Sequence, residues 1–189
     1  MKYLFASDIH GSRGAAEQVL ARYAAEGAGR LVLLGDLLYH GPRNDLPADY
    51  DPKAVFALLN GARSEIACVR GNCDAEVDQM VLSFPIGADF MLMELGARLA
   101  FVTHGHLFNL EALPPLKPGD LLIHGHTHLP VIQAHASGVT YLNPGSCALP
   151  KEGNPPSYMT FEDGVFEIKD LQGRVLKAWD SRVSSTLRR

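Results

Sequence analysis

"KYLFASDIH", residues 2–10, is an apolar run that stops on Asp8 and His10. A short run ended by polar residues reads as a buried strand. The next stretch, "SRGAAEQVLARYAAEG" (12–27), places Ala15, Ala16, Val19, Leu20 and Tyr23 on one helical face, with Gly27 as a stop. "RLVLLGD" (30–36) repeats the strand pattern and ends on Asp36. A loop, "YHGPRNDLPADYD" (39–51), leads to a helix over "PKAVFALLNG" (52–61), with Pro52 in its first turn. "EIACVRGNCD" (65–74) is a third strand, and "AEVDQMVL" (75–82) is a short helix candidate. This β-α-β-α-β-α order predicts a parallel sheet with right-handed crossovers.

After Phe84 the pattern changes to short strand-like runs broken by Gly, Pro or acidic residues. They are "FMLMELG" (90–96), "RLAFVTHG" (98–105), "DLLIHGH" (120–126), "PVIQA" (130–134), "VTYLNPG" (139–145), "SYMTFED" (157–163), "VFEIKDL" (165–171) and "RVLKAWD" (174–180). The second half is expected to be mostly antiparallel. Two sheets packed face to face, with helices outside, is the economical arrangement.

The 189 residues suit one domain over 1–189, and 47% hydrophobic residues can build a sizeable core. A net charge of −4 with no long basic block gives no indication of a nucleic-acid polymer as partner. The basic end "RVSSTLRR" (182–189) reads as a solvated tail. "MKYLFASD" is too short for a signal-peptide apolar region, and no stretch suits a bilayer, so a cytoplasmic location is the default expectation. Cys68, Cys73 and Cys147 do not suggest a disulfide scaffold.

The polar residues at the strand ends carry the functional argument. Asp8 and His10 follow the first run and Asp36 the second. Asn72, Cys73 and Asp74 follow the third; His104 and His106 follow "LAFVT"; His124, His126 and His128 follow "DLLI". Ligands bind outside the carboxyl ends of parallel strands, so these ends are expected to converge. With no second cysteine beside Cys73, a structural zinc site of the thiolate kind is disfavoured. Mixed nitrogen and oxygen donors suit Mn, Fe, Zn or Co. A pair of such ions, about 3.5–4 Å apart, clamps phosphoryl oxygens and generates a hydroxide nucleophile.

Each residue also has a plainer reading. Asp8 and Asp36 can cap helices, Asn72 can serve a turn, and buried histidines can be satisfied structural residues. If 124–128 is strand-like, His124, His126 and His128 share a face. His124 and His106 are expected to stand behind the ligands and orient them. Asp74, grouped with the catalytic candidates, is expected to orient its neighbours rather than bind metal. Cys73 is either a thiol lining the site or an inert small residue. "NPGS" (143–146) reads as a structural turn, and Met80, Met91 and Met93 as core residues.

The ordered set D8-x-H10, G35-D36, G71-N72-C73-D74, T103-H104-G105-H106 and the "HGHTH" at 124–128 resembles the calcineurin-like metallophosphoesterases, and in particular their small phosphodiesterase branch. The resemblance runs from Phe5 to about Pro150, and it implies that the remaining 39 residues complete the second sheet. It implies a four-layer α/β/β/α sandwich of two mixed sheets. It further implies that Asp8, His10 and His128 hold one ion, that Asn72, His104 and His126 hold another, and that Asp36 bridges them. The cofactors implied are two divalent ions, Mn first, with Zn, Ni, Fe or Co as alternatives. A hydroxide bridging the ions would attack phosphorus in line. Where the family has a histidine after the asparagine of its third motif, this chain has Cys73. A thiol with a reference pKa of about 8.5 suits leaving-group protonation poorly. A small phosphodiester is therefore favoured over a simple monoester. His40 is a candidate phosphate contact or proton donor, with Arg43 or Asn44 nearby. The substrate-binding candidates are thus Asn72, His40, Arg43 and Cys73. A phosphomonoesterase using the same site, or a non-catalytic protein-binding scaffold of the same fold, are the competing readings. Exposed strand edges suggest a homodimer or homotetramer.

Overall fold

In the computed structural model, which describes residues 1–183, β1 (Tyr3–Ala6) lies parallel to β2 (Arg30–Leu33), and β2 lies parallel to β3 (Ile66–Cys68). Residues 184–189, most of the basic tail, fall outside the described part. Alternate residues of these strands serve two cores. Leu4, Ala6, Leu31 and Leu33 face the helices α1 (Arg13–Ala25) and α2 (Pro52–Gly61), while Phe5, Val32 and Leu34 face the second sheet. Burial on both faces explains why the runs are continuously apolar rather than alternating. Ser12 caps α1 by accepting from the Ala15 amide, and Asp51 caps α2 by accepting from the Ala54 amide.

The third helix candidate does not form. "AEVDQMVL" contributes only a 3₁₀ turn at Asp78–Met80. Side chains instead tie the segment into a compact loop that runs on to Ile86. The Asp78 carboxylate accepts from the Ala75 amide, and Gln79 ties Leu82 O, Phe84 O and Ile86 N. Met80 is consequently 83% exposed rather than a core residue, whereas Met91 and Met93 do pack against the core between the sheets.

The second sheet has the order β4-β5-β6-β8-β7, made of β4 (Phe90–Leu95), β5 (Arg98–Thr103), β6 (Leu121–Ile123), β7 (Pro130–Ala134) and β8 (Thr140–Pro144). Its centre, β5-β6-β8, is parallel, and only the flanking β4 and β7 are antiparallel. Over the second half as a whole most pairings are antiparallel, as expected; the exceptions are β5-β6 and β6-β8, and the first of these arises because segment 104–120 crosses over without a helix, leaving no helical signature in the sequence. That segment packs Phe108, Leu110, Leu113 and Leu116 on the outer face of the sheet, against Phe101, Leu122 and Tyr141.

The last strands, β9 (Ser157–Glu162), β10 (Val165–Asp170) and β11 (Val175–Asp180), do not complete the second sheet. They extend the first, whose order is β11-β10-β9-β1-β2-β3. β9 pairs antiparallel with β1. Tyr158 then lies on the helix side with its hydroxyl donating to Glu26 at 2.7 Å, while Met159 and Phe161 enter the core between the sheets. A strand apolar on both faces fits the interior of either sheet. The free edge of β1 and the anchor at Glu26 select this one.

Candidate metal centre

The turns after β1 and β2 run side by side. The amides of Asp8, His10 and Gly11 donate to the carbonyls of Gly35, Asp36 and Leu37 at 2.9–3.1 Å. Of the seven described non-glycine residues with positive φ, five are Asp8, His10, Asp36, His126 and His128. Each such conformation costs roughly 1 kcal/mol for an L-residue. Concentrating them at two converging loop pairs turns each side chain inward. Gly125 allows the closest approach. A Cβ there would collide with the Ser7 side chain, so the loop bearing His126 and His128 packs directly on the loop bearing Asp8.

The same geometry corrects the strand reading of 124–128. β6 ends at Ile123, and φ values of 63° at His126 and 62° at His128 break the alternation. His126 and His128 face the centre through two left-handed residues. His124 instead stacks on Tyr141 with ring centroids 4.5 Å apart. Burial pushes the His124 imidazole down to about 4, holding it neutral behind the loop.

Two lobes result. In one, Asp8 Oδ1 lies 3.6 Å from His10 Nε2 and 3.3 Å from His128 Nε2. In the other, His104 Nε2 lies 3.1 Å from Asn72 Oδ1 and 3.2 Å from His126 Nδ1. Asp36 Oδ2 stands between them, 3.7 Å from His10 Nε2 and 3.4 Å from His104 Nε2. Donor atoms of Asp8, His10 and His128 fall within 4.8 Å of one another, as do those of Asp8, Asp36 and His104, and those of His10, Asp36 and Cys73.

The hydrogen bonds around the lobes show what the donors lack. The Nδ1 atoms of His10, His104 and His128 are placed to donate to the carbonyls of Tyr39, Leu34 and Leu149. That tautomer leaves each Nε2 lone pair pointing inward. His10 Nε2 and His128 Nε2 then face each other at 3.4 Å, and the buried Asp8 Oδ1 has no hydrogen-bond donor. Converging lone pairs beside carboxylates repel unless a cation sits among them. The residues therefore fit a pair of divalent ions, through nitrogen and oxygen donors. Positive charge is drawn to the same place in the form of a proton on His104. Burial opposes the His104 imidazolium, but Asp36 and Asp8 outweigh it and raise the group to about 9. Burial likewise opposes the Asp8 carboxylate, which contacts to His10 and His128 hold well below the usual range. His126 is pushed down to about 4 by burial and by His104, which keeps its lone pair free.

Supporting residues lock the loops. Asp74 Oδ2 accepts from the amides of Asp36 and Gly71 at 2.8 and 2.7 Å, and Oδ1 from Leu37 at 2.8 Å. With both oxygens engaged, Asp74 shapes the Asp36 turn and offers no free oxygen to a reacting group. "NPGS" is a clamp: Asn143 Nδ2 donates to Gly125 O and Thr127 Oγ1, and Ser146 Oγ donates to Asp8 O. The Cys73 amide donates to Asp36 Oδ1 at 2.8 Å, while burial and then Asp36 push the Cys73 thiol up to about 12. His106 lies beside His104, with centroids 5.4 Å apart, and its Nδ1 is buried without a partner.

A cavity of about 520 Å³ opens over the lobes, with Asp36, Asn72, Cys73, His126 and His128 in its floor and Arg43 and Asn44 in its wall. His40 does not line it. Its ring packs edge-on between Tyr39 and Tyr50, at 4.7 and 5.4 Å, so the loop that brings Arg43 to the site turns His40 aside. Lys151 also lines the cavity, tied by its amide to His128 O. Sequence reasoning missed it, since one lysine beyond "NPGS" carries no spacing signal.

Residues 1–163 match the calcineurin-like phosphoesterase superfamily domain. The phosphodiesterase YfcE of Escherichia coli is 50% identical over 178 residues, covering 94% of this chain and 96% of that protein. The solved structure of the E. coli phosphoesterase Yfce aligns with a TM-score of 0.91 at 47% identity, over 95% of this chain and 99% of that one. Vps29 from Entamoeba histolytica, solved in complex with Zn²⁺, shares the fold at 23% identity and a TM-score of 0.63, over 96% and 99% of the two chains. Ordered strand-end donors, two mixed sheets that bring them together, and these likenesses lead to one conclusion: the chain belongs to the calcineurin-like phosphoesterase superfamily.

Proposed function

We propose that the chain, acting as one metallophosphoesterase domain, is a metal-dependent phosphodiesterase for small phosphodiesters. The observation that carries this reading is the buried, unpartnered Asp8 Oδ1 among inward-facing imidazole nitrogens. Such a donor set is complete only with cations. Asp8, His10 and His128 would hold one ion, Asn72, His104 and His126 the other, and Asp36 both. Such ions, Mn first among Mn, Zn, Ni, Fe and Co, would supply Lewis acidity toward phosphoryl oxygens and toward the water that serves as nucleophile.

The chain's own groups do the rest. Asn72, 3.1 Å from His104 through its carbonyl oxygen, lines the cavity, where its amide nitrogen, which gives one hydrogen to Cys73 Sγ at 3.3 Å, can donate the other to a phosphoryl oxygen. Arg43 and Lys151 bring positive charge to the same cavity. Cys73, with its thiol pushed up to about 12, stays protonated at neutral pH and is a weak proton donor to a leaving alkoxide. An ester whose leaving group needs less help is therefore cleaved better than a simple alkyl ester, and the likeness to the phosphodiesterase YfcE favours a diester. Exposed Phe90 (45%) and Leu92 (56%) on the edge strand β4 support self-association as a homodimer or homotetramer. No helix among the described residues is long and apolar enough to cross a membrane, and a cytoplasmic location belongs to the same reading.

The test is hydrolysis of bis(p-nitrophenyl) phosphate and p-nitrophenyl phosphate with and without Mn²⁺. Mn²⁺-dependent cleavage with the diester faster is expected. Faster monoester cleavage would favour a phosphomonoesterase, and no cleavage of either would leave a protein-binding scaffold.

A further inference from the structure

Beyond the ridge formed by Asn72 and Cys73, the cavity over the metal centre adjoins a second one of about 690 Å³; Arg43 lines both. Apart from Asn72, none of the candidate metal ligands lines this second cavity. Its walls include Tyr39, Arg70 and Val77, with Tyr39 43% and Val77 61% exposed. The Arg70 Nε donates to Asp74 O at 3.3 Å, which anchors the guanidinium at the edge of this cavity and leaves its terminal nitrogens without a protein acceptor among the described residues. Neither Arg43 nor Arg70 forms an ion pair with a carboxylate among the described residues. Two carboxyl residues line the same cavity, Asp74 and Glu76. Both oxygens of Asp74 are engaged by three backbone amides. Glu76 is exposed.

A simple diester carries one negative charge, at the phosphorus to be attacked, and the candidate metal centre already faces that group. Two guanidinium groups in the neighbouring cavity exceed what it needs. Arginine presents a planar fork that matches phosphate or carboxylate oxygens. We infer that the substrate is a phosphodiester whose one arm carries a second anionic group, a phosphate or a carboxylate, received by Arg43 and Arg70 in this second cavity. Tyr39 supplies an aromatic wall for the arm that joins the two anions. The inference rests on the phosphodiesterase reading above.

The experiment compares three matched substrates with Mn²⁺ present: thymidine 5′-(4-nitrophenyl phosphate) with a 3′-hydroxyl, a 3′-phosphate or a 3′-carboxymethyl group. One charge-assisted contact predicts a kcat/KM preference of about tenfold or more for an anionic 3′ group. The 3′-phosphate and 3′-carboxymethyl arms distinguish which anion is preferred. In Arg70→Gln the preference collapses toward unity, and in Arg70→Lys part of it returns. The readout is the ratio between substrates, so a general loss of activity does not mimic it. Equal kcat/KM on all three substrates, or an undiminished preference in Arg70→Gln, overturns the inference while leaving the diesterase reading intact. No cleavage of any of them overturns the diesterase reading itself.

Discussion

Two clusters of charge, one half-buried and one buried, stand at different places in this molecule, and they are built differently. Around Glu26, at the end of α1, every charge is answered. The carboxylate accepts from Tyr158 at 2.7 Å and from Lys169 at 2.9 Å, and pairs with Lys2 at 2.7 Å. Around Asp8 the opposite holds: an oxygen without a donor, imidazole lone pairs aimed at one another, and strained backbone at five of the residues. The first cluster closes on itself and joins α1 to β9 and β10. The second is left open, and a cation completes it. Cross-satisfaction marks a structural ion cluster, and convergent incompleteness marks a binding one.

Breaking the open cluster should have the largest effect on function. In Asp36→Asn, metal content and diester hydrolysis should fall together, with kcat/KM down at least about a hundredfold; metal analysis beside the assay checks this. An active, metal-free variant would remove Asp36 from its proposed place.

Breaking the closed cluster should affect stability alone. Glu26→Gln leaves Lys2 with Glu162 alone at 3.5 Å and Lys169 with Glu167 alone at 3.0 Å, and should cost about 1.5 kcal/mol in urea unfolding with kcat unchanged. Burial opposes the Glu26 charge, but contacts to Lys2, Lys169 and Tyr158 lower its pKa from 4.5 to about 2. A carboxyl depressed in the folded state contributes its stability above the unfolded pKa and loses it as pH falls through the folded value. The difference between the two proteins should therefore shrink between pH 4.5 and about 2.

A smaller effect on the metal-free fold sharpens the contrast. Asp8→Asn removes a carboxylate that, against the opposing effect of burial, His10 and His128 hold well below its usual range, so its charge is favoured in the folded state. Melting of this variant without metal should fall by a few degrees, on the order of 1 kcal/mol, and added Mn²⁺ should no longer raise it. A Mn²⁺-induced rise equal to that of the unsubstituted protein would remove Asp8 from its proposed place. The least effect is expected at Cys73. Its thiol is held up to about 12 by burial and by Asp36, so Cys73→Ser should change diester kcat/KM by no more than about threefold. The pH–rate profile should show no inflection in the ordinary thiol range.

Much of this was legible beforehand because each strand end carried a local signal. "ASDIH", "LLGD", "RGNCD", "VTHGH" and "HGHTH" each set polar donors against an apolar run, and the structure brings Asp8, His10, Asp36, Asn72, His104, His126 and His128 together. The helices at 13–25 and 52–61 were readable, the first from its apolar face and the stop at Gly27, the second from Pro52 in its first turn. Other features depended on distant parts of the chain. Residues 157–170 read as strands, but whether they joined the first sheet or the second was decided by the free edge of β1 and by Glu26. His40 and Arg43 were equivalent loop residues until Tyr39 and Tyr50 enclosed one of them and the cavity admitted the other.

The sequence by itself determined which residue types stand at the strand ends, and hence the chemistry available to the chain, because apolar periodicity and its interruption are local properties. Only the tertiary structure decided which donors face one another, which are already engaged, and which are left open. His124 and His126 are two positions apart, yet one stacks on Tyr141 and the other lies 3.2 Å from His104. That division comes from left-handed backbone at His126 and His128, held where Gly125 of the same loop packs on Ser7 after β1 and accepts from Asn143 of β8. Side-chain direction at a strand end is set by what packs against the turn, and sequence spacing does not contain it.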